Sequence, residues 1–148
     1  MEDRYLFRGK RTDTGEWVEG FLFLVNDVSY ILPHHNTGQP THIDNLLSTT
    51  VEVSKATICQ CTGLKDDEGT LIFENDVISL KDEINECEWK AVVKFGNPNA
   101  EYTWGWQLVP ITECYPNKDI LLWVETEMGY MYCNIIGNRF DNPELLEV

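Results

Sequence analysis

What the sequence lacks is the first guide to it. No apolar run approaches the roughly 20 residues that cross a bilayer as a helix. The longest runs, Phe21 to Val25 and Ile120 to Val124, are strand-sized. The first residues, Met1-Glu2-Asp3-Arg4, place acid where a secretory leader carries base, and no apolar segment follows. No Asn-x-Ser/Thr sequon occurs. These absences lead to the expectation of an unexported, cytoplasmic protein with no membrane contact. Base is also scarce: 11 Lys and Arg against 25 Asp and Glu leave a formal net charge of −14. Such a chain repels nucleic-acid phosphates and anionic lipid, so direct nucleic-acid binding is not expected and its charged partners should be basic. The cysteines, Cys59, Cys61, Cys87, Cys114 and Cys133, number five. An odd count in an unexported protein argues against a disulfide framework, and reduced thiols packed as small apolar groups are expected.

What is present is the vocabulary of short strands. Hydrophobic residues make up 43% of the chain, and five Trp, six Tyr and six Phe supply bulk for a core. Strands are expected over Tyr5 to Gly9, Trp17 to Val25 and Val28 to Leu32, separated by Asp13-Thr14-Gly15 and Asn26-Asp27, whose residues suit turns. Pro33 to Pro40 reads as a loop, and His42 to Val53 fits either a helix or a strand. Strand signals resume over Thr57 to Gly63, Leu71 to Phe73, Val77 to Leu80, Trp89 to Phe95, Trp104 to Val109, Ile120 to Glu125 and Tyr130 to Ile136. Lys65 to Gly69 is a charged turn, and Glu127-Met128-Gly129 suits a hairpin turn. At the end, Asn142 can cap a final helical turn with Pro143 in its first position. A division near residue 56 is expected, giving an N-terminal β region, 1–56, and a second β unit, 57–148, packed together.

Four segments, taken in order, resemble the YopX family of phage and prophage proteins. They are Phe7-Arg8-Gly9-Lys10-Arg11 with Gly15 to Gly20; Gln60 to Asp66 with Gly69 and Ile72-Phe73-Glu74-Asn75-Asp76-Val77; the strand Trp89 to Phe95; and Ile136-Gly137-Asn138-Arg139-Phe140-Asp141-Asn142-Pro143-Glu144-Leu145-Leu146. The resemblance implies a mainly β fold in which an N-terminal β-meander packs with a C-terminal, SH3-like small β-barrel. It implies structural roles for Gly63, Gly69, Phe73, Asp76, Gly137, Asn138, Asn142 and Pro143, and it implies no enzymatic activity.

The residues themselves offer little catalytic chemistry. Cys59-Gln60-Cys61 and His34-His35 with His42 are the soft-ligand clusters, but neither has the spacing of a structural zinc site. No metal or cofactor is therefore expected, and Cys59 and Cys61 should share the inward face of a strand. Cys87 lies between Glu86 and Glu88, which would blunt a nucleophilic thiol. Phosphate-cradling glycine motifs are absent, and Lys65 to Gly69 lacks the distal Glu of a calcium loop. The acidic residues Glu83, Glu86, Glu88, Glu125 and Glu127 are expected in solvent.

One patch stands out. Arg4, Tyr5, Phe7, Arg8, Lys10, Arg11 and Trp17 interleave base with aromatic rings. A base-stacking platform has this composition, and so does an edge strand with charged gatekeepers, which suits so acidic a chain better. The expectation overall is a non-enzymatic accessory protein acting through protein contacts and self-associating as a homo-oligomer. The alternatives are an acidic nucleic-acid mimic that binds a basic protein, or a small-ligand binder or enzyme with an unrecognised site.

Overall fold

Short strands punctuated by Asp, Asn and Gly build an antiparallel, mainly β protein. The computed structural model describes residues 2–34, 49–101, 104–112, 118–124 and 129–147. It divides into two units, Met1–Cys61 and Thr62–Val148.

In the first unit, strands β1 (Phe7–Lys10), β2 (Trp17–Val25), β3 (Val28–Pro33) and β4 (Val51–Glu52) lie in the order β4-β3-β2-β1. The start of β5 (Cys59–Lys65) pairs along the other side of β1. The expected meander is present. Asn26 and Asp27 join β2 to β3 with φ of 50° and 65°, the left-handed pair a two-residue hairpin needs and that Asn and Asp tolerate. Gly20 is required where β2 meets β3, because a Cβ there would sit 1.9 Å from the Leu32 carbonyl oxygen.

Sequence expectations shift at three places here. Glu2–Tyr5 forms a 3-10 turn, so the first strand starts at Phe7. Lys55–Thr57 forms another, in which the Thr57 hydroxyl donates to the Ser54 carbonyl at 2.7 Å and accepts the Lys10 N–H at 2.9 Å; the strand expected from Thr57 begins at Cys59. The third shift concerns β1, which is no edge strand. It runs between β2 and β5, so Arg8 and Lys10 do not guard an open ladder. Cys59 and Cys61 flank the exposed Gln60 and are fully buried, as their spacing predicts, in company with Leu6, Ile31 and Val53. Most of the loop Pro33 to Pro40 and of the ambiguous segment His42 to Val53 falls outside the described residues; within the latter, Val51–Glu52 is strand.

In the second unit, the rest of β5 pairs with β6 (Leu71–Phe73). Strands β7 (Asp76–Asp82), β8 (Cys87–Gly96), β9 (Gly105–Pro110) and β10 (Met131–Asn138) form an antiparallel sheet in the order β10-β7-β8-β9. Ile78, Leu80, Trp89, Ala91, Val93 and Leu108 carry one face of that sheet into a core shared with Ile72, Ile120, Trp123 and Cys133. Trp89 and Trp123 meet edge to face, with ring centroids 5.7 Å apart. Each indole removes about 200 Å² from water, a gain on the order of 5 kcal/mol before conformational entropy is charged against it.

Ile120 to Glu125 corrects a strand expectation: Ile120–Val124 is a helical turn, α1. Asp119 precedes the apolar run and its carboxylate accepts the Leu121 N–H at 3.0 Å, as an N-cap does. Ile120 and Trp123, three residues apart, are buried while Leu121 and Leu122 face out, which is helical rather than alternating order.

Asp residues hold the turns. The Asp76 carboxylate, 1% exposed, accepts the Phe73 N–H at 2.8 Å across the tight Glu74-Asn75 turn, where Asn75 takes φ of 72°. The Asp66 carboxylate accepts N–H groups from Glu68, Thr70 and Ile135, and Asp67 accepts that of Cys133. The charged turn at Lys65 to Gly69 thus clamps β10. The final turn also departs from expectation. Pro143–Leu146 is a 3-10 turn with Pro143 near its start, but the Asn142 side chain does not cap it. That side chain turns back to accept the Asn138 N–H at 3.3 Å instead.

Candidate apolar pocket beside Phe95

The face of the second sheet opposite the Trp89 core holds a different surface. Val92 on β8 lies between Val77 on β7 and Val109 on β9, and Gly137 on β10 completes the row beside Val77. At Gly137 the strand register shifts, so the ladder is bulged there. A Cβ at Gly137 would lie 2.5 Å from the Asn142 side-chain oxygen and 2.8 Å from a Leu145 methyl. The C-terminal 3-10 turn therefore seats directly on this glycine.

Between that turn and the loop after β8 lies a pocket of about 440 Å³ lined by Val92, Lys94, Phe95, Pro98, Val109, Arg139 and Leu146. That size is within the range of ligand pockets, and an apolar lining with a few polar groups is their usual make-up. The loop carrying Pro98 is held by Asn97, whose side chain exchanges two hydrogen bonds with the Glu101 backbone, and by Asn99, which donates to the Leu108 carbonyl. Lys118 pairs with Glu101 at 2.5 Å.

Asn75 bonds to both cation-bearing residues, to the ammonium of Lys94 and to the backbone of Arg139. Its side-chain oxygen accepts from Lys94 Nζ at 2.5 Å, its carbonyl accepts the Arg139 N–H at 3.0 Å, and its own N–H donates to the Val93 carbonyl at 2.9 Å. Among the described residues, neither Lys94 nor Arg139 pairs with a carboxylate, although the chain carries 25 acidic residues. Phe95, at the pocket's edge, is 57% exposed and meets Trp106 edge to face at 5.0 Å. Trp104, 77% exposed, lies against Gly96, where a Cβ would be 3.7 Å from its ring.

The sequence-expected patch is split by the structure. Arg8, Lys10, Trp17 and Glu19 share one face of the β1–β2 pair, with Arg8 and Lys10 at 4.8 and 5.3 Å from the Trp17 ring centroid. Phe7 lies on the other face of the pleat. Arg4 stacks on its neighbour Tyr5, and Arg11 makes a two-pronged pair with Asp13, which holds the Asp13 carboxyl below its ordinary range.

The soft-ligand residues do not gather. Cys59 donates its thiol to the Thr57 carbonyl, and the His34 ring sits 3.4 Å from the Glu19 carbonyl oxygen. His35 and His42 fall outside the described residues, among which no group of three His, Cys, Asp or Glu could hold one ion. Cys87 overturns one expectation: it is disulfide-bonded, so its sulfur is not the reduced, blunted thiol that its flanking glutamates suggested. Cys133 is a free thiol, and burial, reinforced by the charges of Asp67 and Asp66, pushes it up to about 12. The β7–β8 hairpin gathers Asp82, Glu83, Glu86 and Glu88 around a hollow of about 310 Å³ that also touches Lys81. Asn85 donates to Asp82 at 2.6 Å and, with backbone N–H groups, holds that carboxyl low.

The pocket residues escaped sequence reading because they come from separate stretches of chain. Lys94-Phe95 and Arg139-Phe140 each put a cation beside an aromatic ring, which is the signal available in hindsight. Architecture and pocket together define an antiparallel β protein with an apolar pocket lined also by two cations. The YopX protein family model matches residues 6–147, and the chain belongs to that family. No curated protein matches the chain.

Proposed function

We propose that this YopX protein is a non-enzymatic phage or prophage accessory protein of the host cytoplasm that works by contacting a protein partner. The observation that supports this reading is the pair of exposed rings, Phe95 and Trp104, at the β8–β9 end of the second sheet, with half-buried Trp106 behind Phe95. Rigid, amphipathic aromatic rings are the side chains that carry binding energy at protein interfaces, and a contiguous exposed apolar patch is costly unless something covers it. The SH3-type barrel implied for the second unit and the self-association expected of a β scaffold belong to the same proposal.

The nucleic-acid-mimic alternative has less support. Several carboxylates that could imitate phosphates are committed to folding: Asp66, Asp76 and Asp82 are buried and accept backbone N–H groups. Affinity capture tests the proposal. The native chain should retain a discrete partner from host lysate, and a Phe95→Ser, Trp104→Ser double variant of unchanged thermal stability should lose it. Identical captured sets from the two proteins would contradict the reading.

A further inference from the structure

We infer that the pocket between Phe95 and Leu146 recognises a short apolar peptide segment that carries one carboxylate. This rests on the reading of the chain as a protein-contact module and names the chemistry that its partner must present.

The floor of the pocket, Val92 and Val109, and its walls, Phe95, Pro98 and Leu146, select an apolar side chain. Lys94 and Arg139 select the charge. A chain of net −14 satisfies its cations easily, yet these two line an apolar hollow without a carboxylate partner among the described residues. Asn75, a neutral group, holds Lys94 Nζ in place without supplying a counter-charge. An ammonium so held is preorganised for an incoming anion. The guanidinium of Arg139 adds planar, two-pronged recognition of a carboxylate.

The single charge follows from range. Beyond about 8 Å at physiological salt, charges are screened, so the two cations dominate at contact while a densely acidic segment would still meet repulsion from the rest of the surface. One carboxylate in an apolar setting gains the local attraction at least cost. Glu74, the neighbouring acid, accepts the Phe95 N–H at 3.3 Å and makes no ion pair with Lys94 or Arg139 among the described residues. The positions also converge from separate parts of the chain. Asn75, Lys94 with Phe95, and Arg139 with Leu146 come from three of the segments that carry the resemblance to YopX proteins.

The test is a titration of the full-length, isotope-labelled protein with acetyl-Leu-Trp-Glu-Leu amide, followed by amide chemical shifts. The expected result is saturable movement of the Val92 to Phe95, Val109, Arg139 and Leu146 amides, with millimolar or tighter affinity. The Gln analogue of the peptide should bind about fivefold more weakly, as should Lys94→Gln and Arg139→Gln proteins, while Arg139→Lys retains part of the binding. Dispersed spectra of the variants show that they remain folded. Equal binding of the Glu and Gln peptides, or no movement at about 5 mM peptide, overturns the inference. So does phenylacetate binding as tightly as the peptide, which would make this a small-molecule site, or pocket shifts that follow protein concentration alone, which would make the occupant a second copy. Any of these outcomes leaves intact a partner captured through Phe95 and Trp104.

Discussion

The carboxylate of Asp66 accepts the backbone N–H of Ile135 at 3.1 Å, joining positions 69 residues apart in the chain. The same side chain, 8% exposed, accepts the N–H groups of Glu68 and Thr70. Asp67, exposed beside it, accepts the Cys133 N–H. A turn read as merely polar therefore satisfies the backbone of β10 at Cys133 and Ile135. An open strand edge is a pairing hazard, and this turn covers the middle of one.

The two aspartates should differ in weight. Asp66→Ala removes the acceptor of three part-buried hydrogen bonds at once and should cost about 3 kcal/mol, whereas Asp67→Ala should cost about 1 kcal/mol. Urea unfolding midpoints at constant slope measure the difference. Equal costs for the two substitutions would show that the clamp does not work through burial.

Cys133 predicts an alkaline limb of stability. Its thiol rises from an ordinary 9.0 to about 12 in the fold, so the native state binds its proton more tightly than the unfolded state does. The contribution is fully present below about pH 9 and is lost as pH climbs toward 12, at about 1.4 kcal/mol per pH unit. Cys133→Ala should flatten that limb. Peptide mapping after iodoacetamide treatment at pH 8 should find Cys133 unmodified in the native protein and modified in urea. Labelling of native Cys133 at the rate of a free thiol would contradict its burial.

Asp82 predicts the opposite limb. Its carboxyl is held below the ordinary range by Asn85 and by the N–H groups of Ile84 and Asn85, so its contribution is present above about pH 4 and fades as pH falls through the lowered value. Asp13, lowered by Arg11, acts in the same direction. Denaturant curves collected between about pH 5 and pH 2 should show a shallower acid decline for Asp82→Asn than for the native chain. Parallel declines would mean that the carboxylate's hydrogen bonds add nothing.

Gly137 should tolerate no side chain. A methyl there meets Asn142 and Leu145 at 2.5 and 2.8 Å, so Gly137→Ala should lift the C-terminal turn at a cost of about 1–3 kcal/mol. Amides from Asn142 to Leu146 should shift, while those around Trp89 and Trp123 stay in place. Unchanged amides in the turn would show that it does not seat on the glycine.

Strand positions were legible because local chemistry dictates them. Asn26-Asp27 fits a left-handed turn whatever surrounds it, and Trp17–Val25 forms the strand its aromatic and branched residues suggest. Ile120–Val124 was not legible as helix, because β-propensity of Ile, Trp and Val competes there with the capping of Asp119. The basic patch misled for a related reason: whether β1 is an edge depends on β5, which lies far along the chain. The pocket is non-local altogether. Lys94 and Arg139 converge because β7 pairs with both β8 and β10 and Asn75 bonds to each, and no spacing rule along the sequence anticipates that.

The most direct test of the account places a photo-crosslinking benzoylphenylalanine at Trp104, and separately at Leu24, which is 63% exposed in the first unit. Irradiation in bacterial cells should yield a discrete protein adduct from position 104 and none of the same mass from position 24. No adduct from position 104, or the same adducts from both, would contradict the claim that the Phe95–Trp104 surface is where this protein makes its contacts.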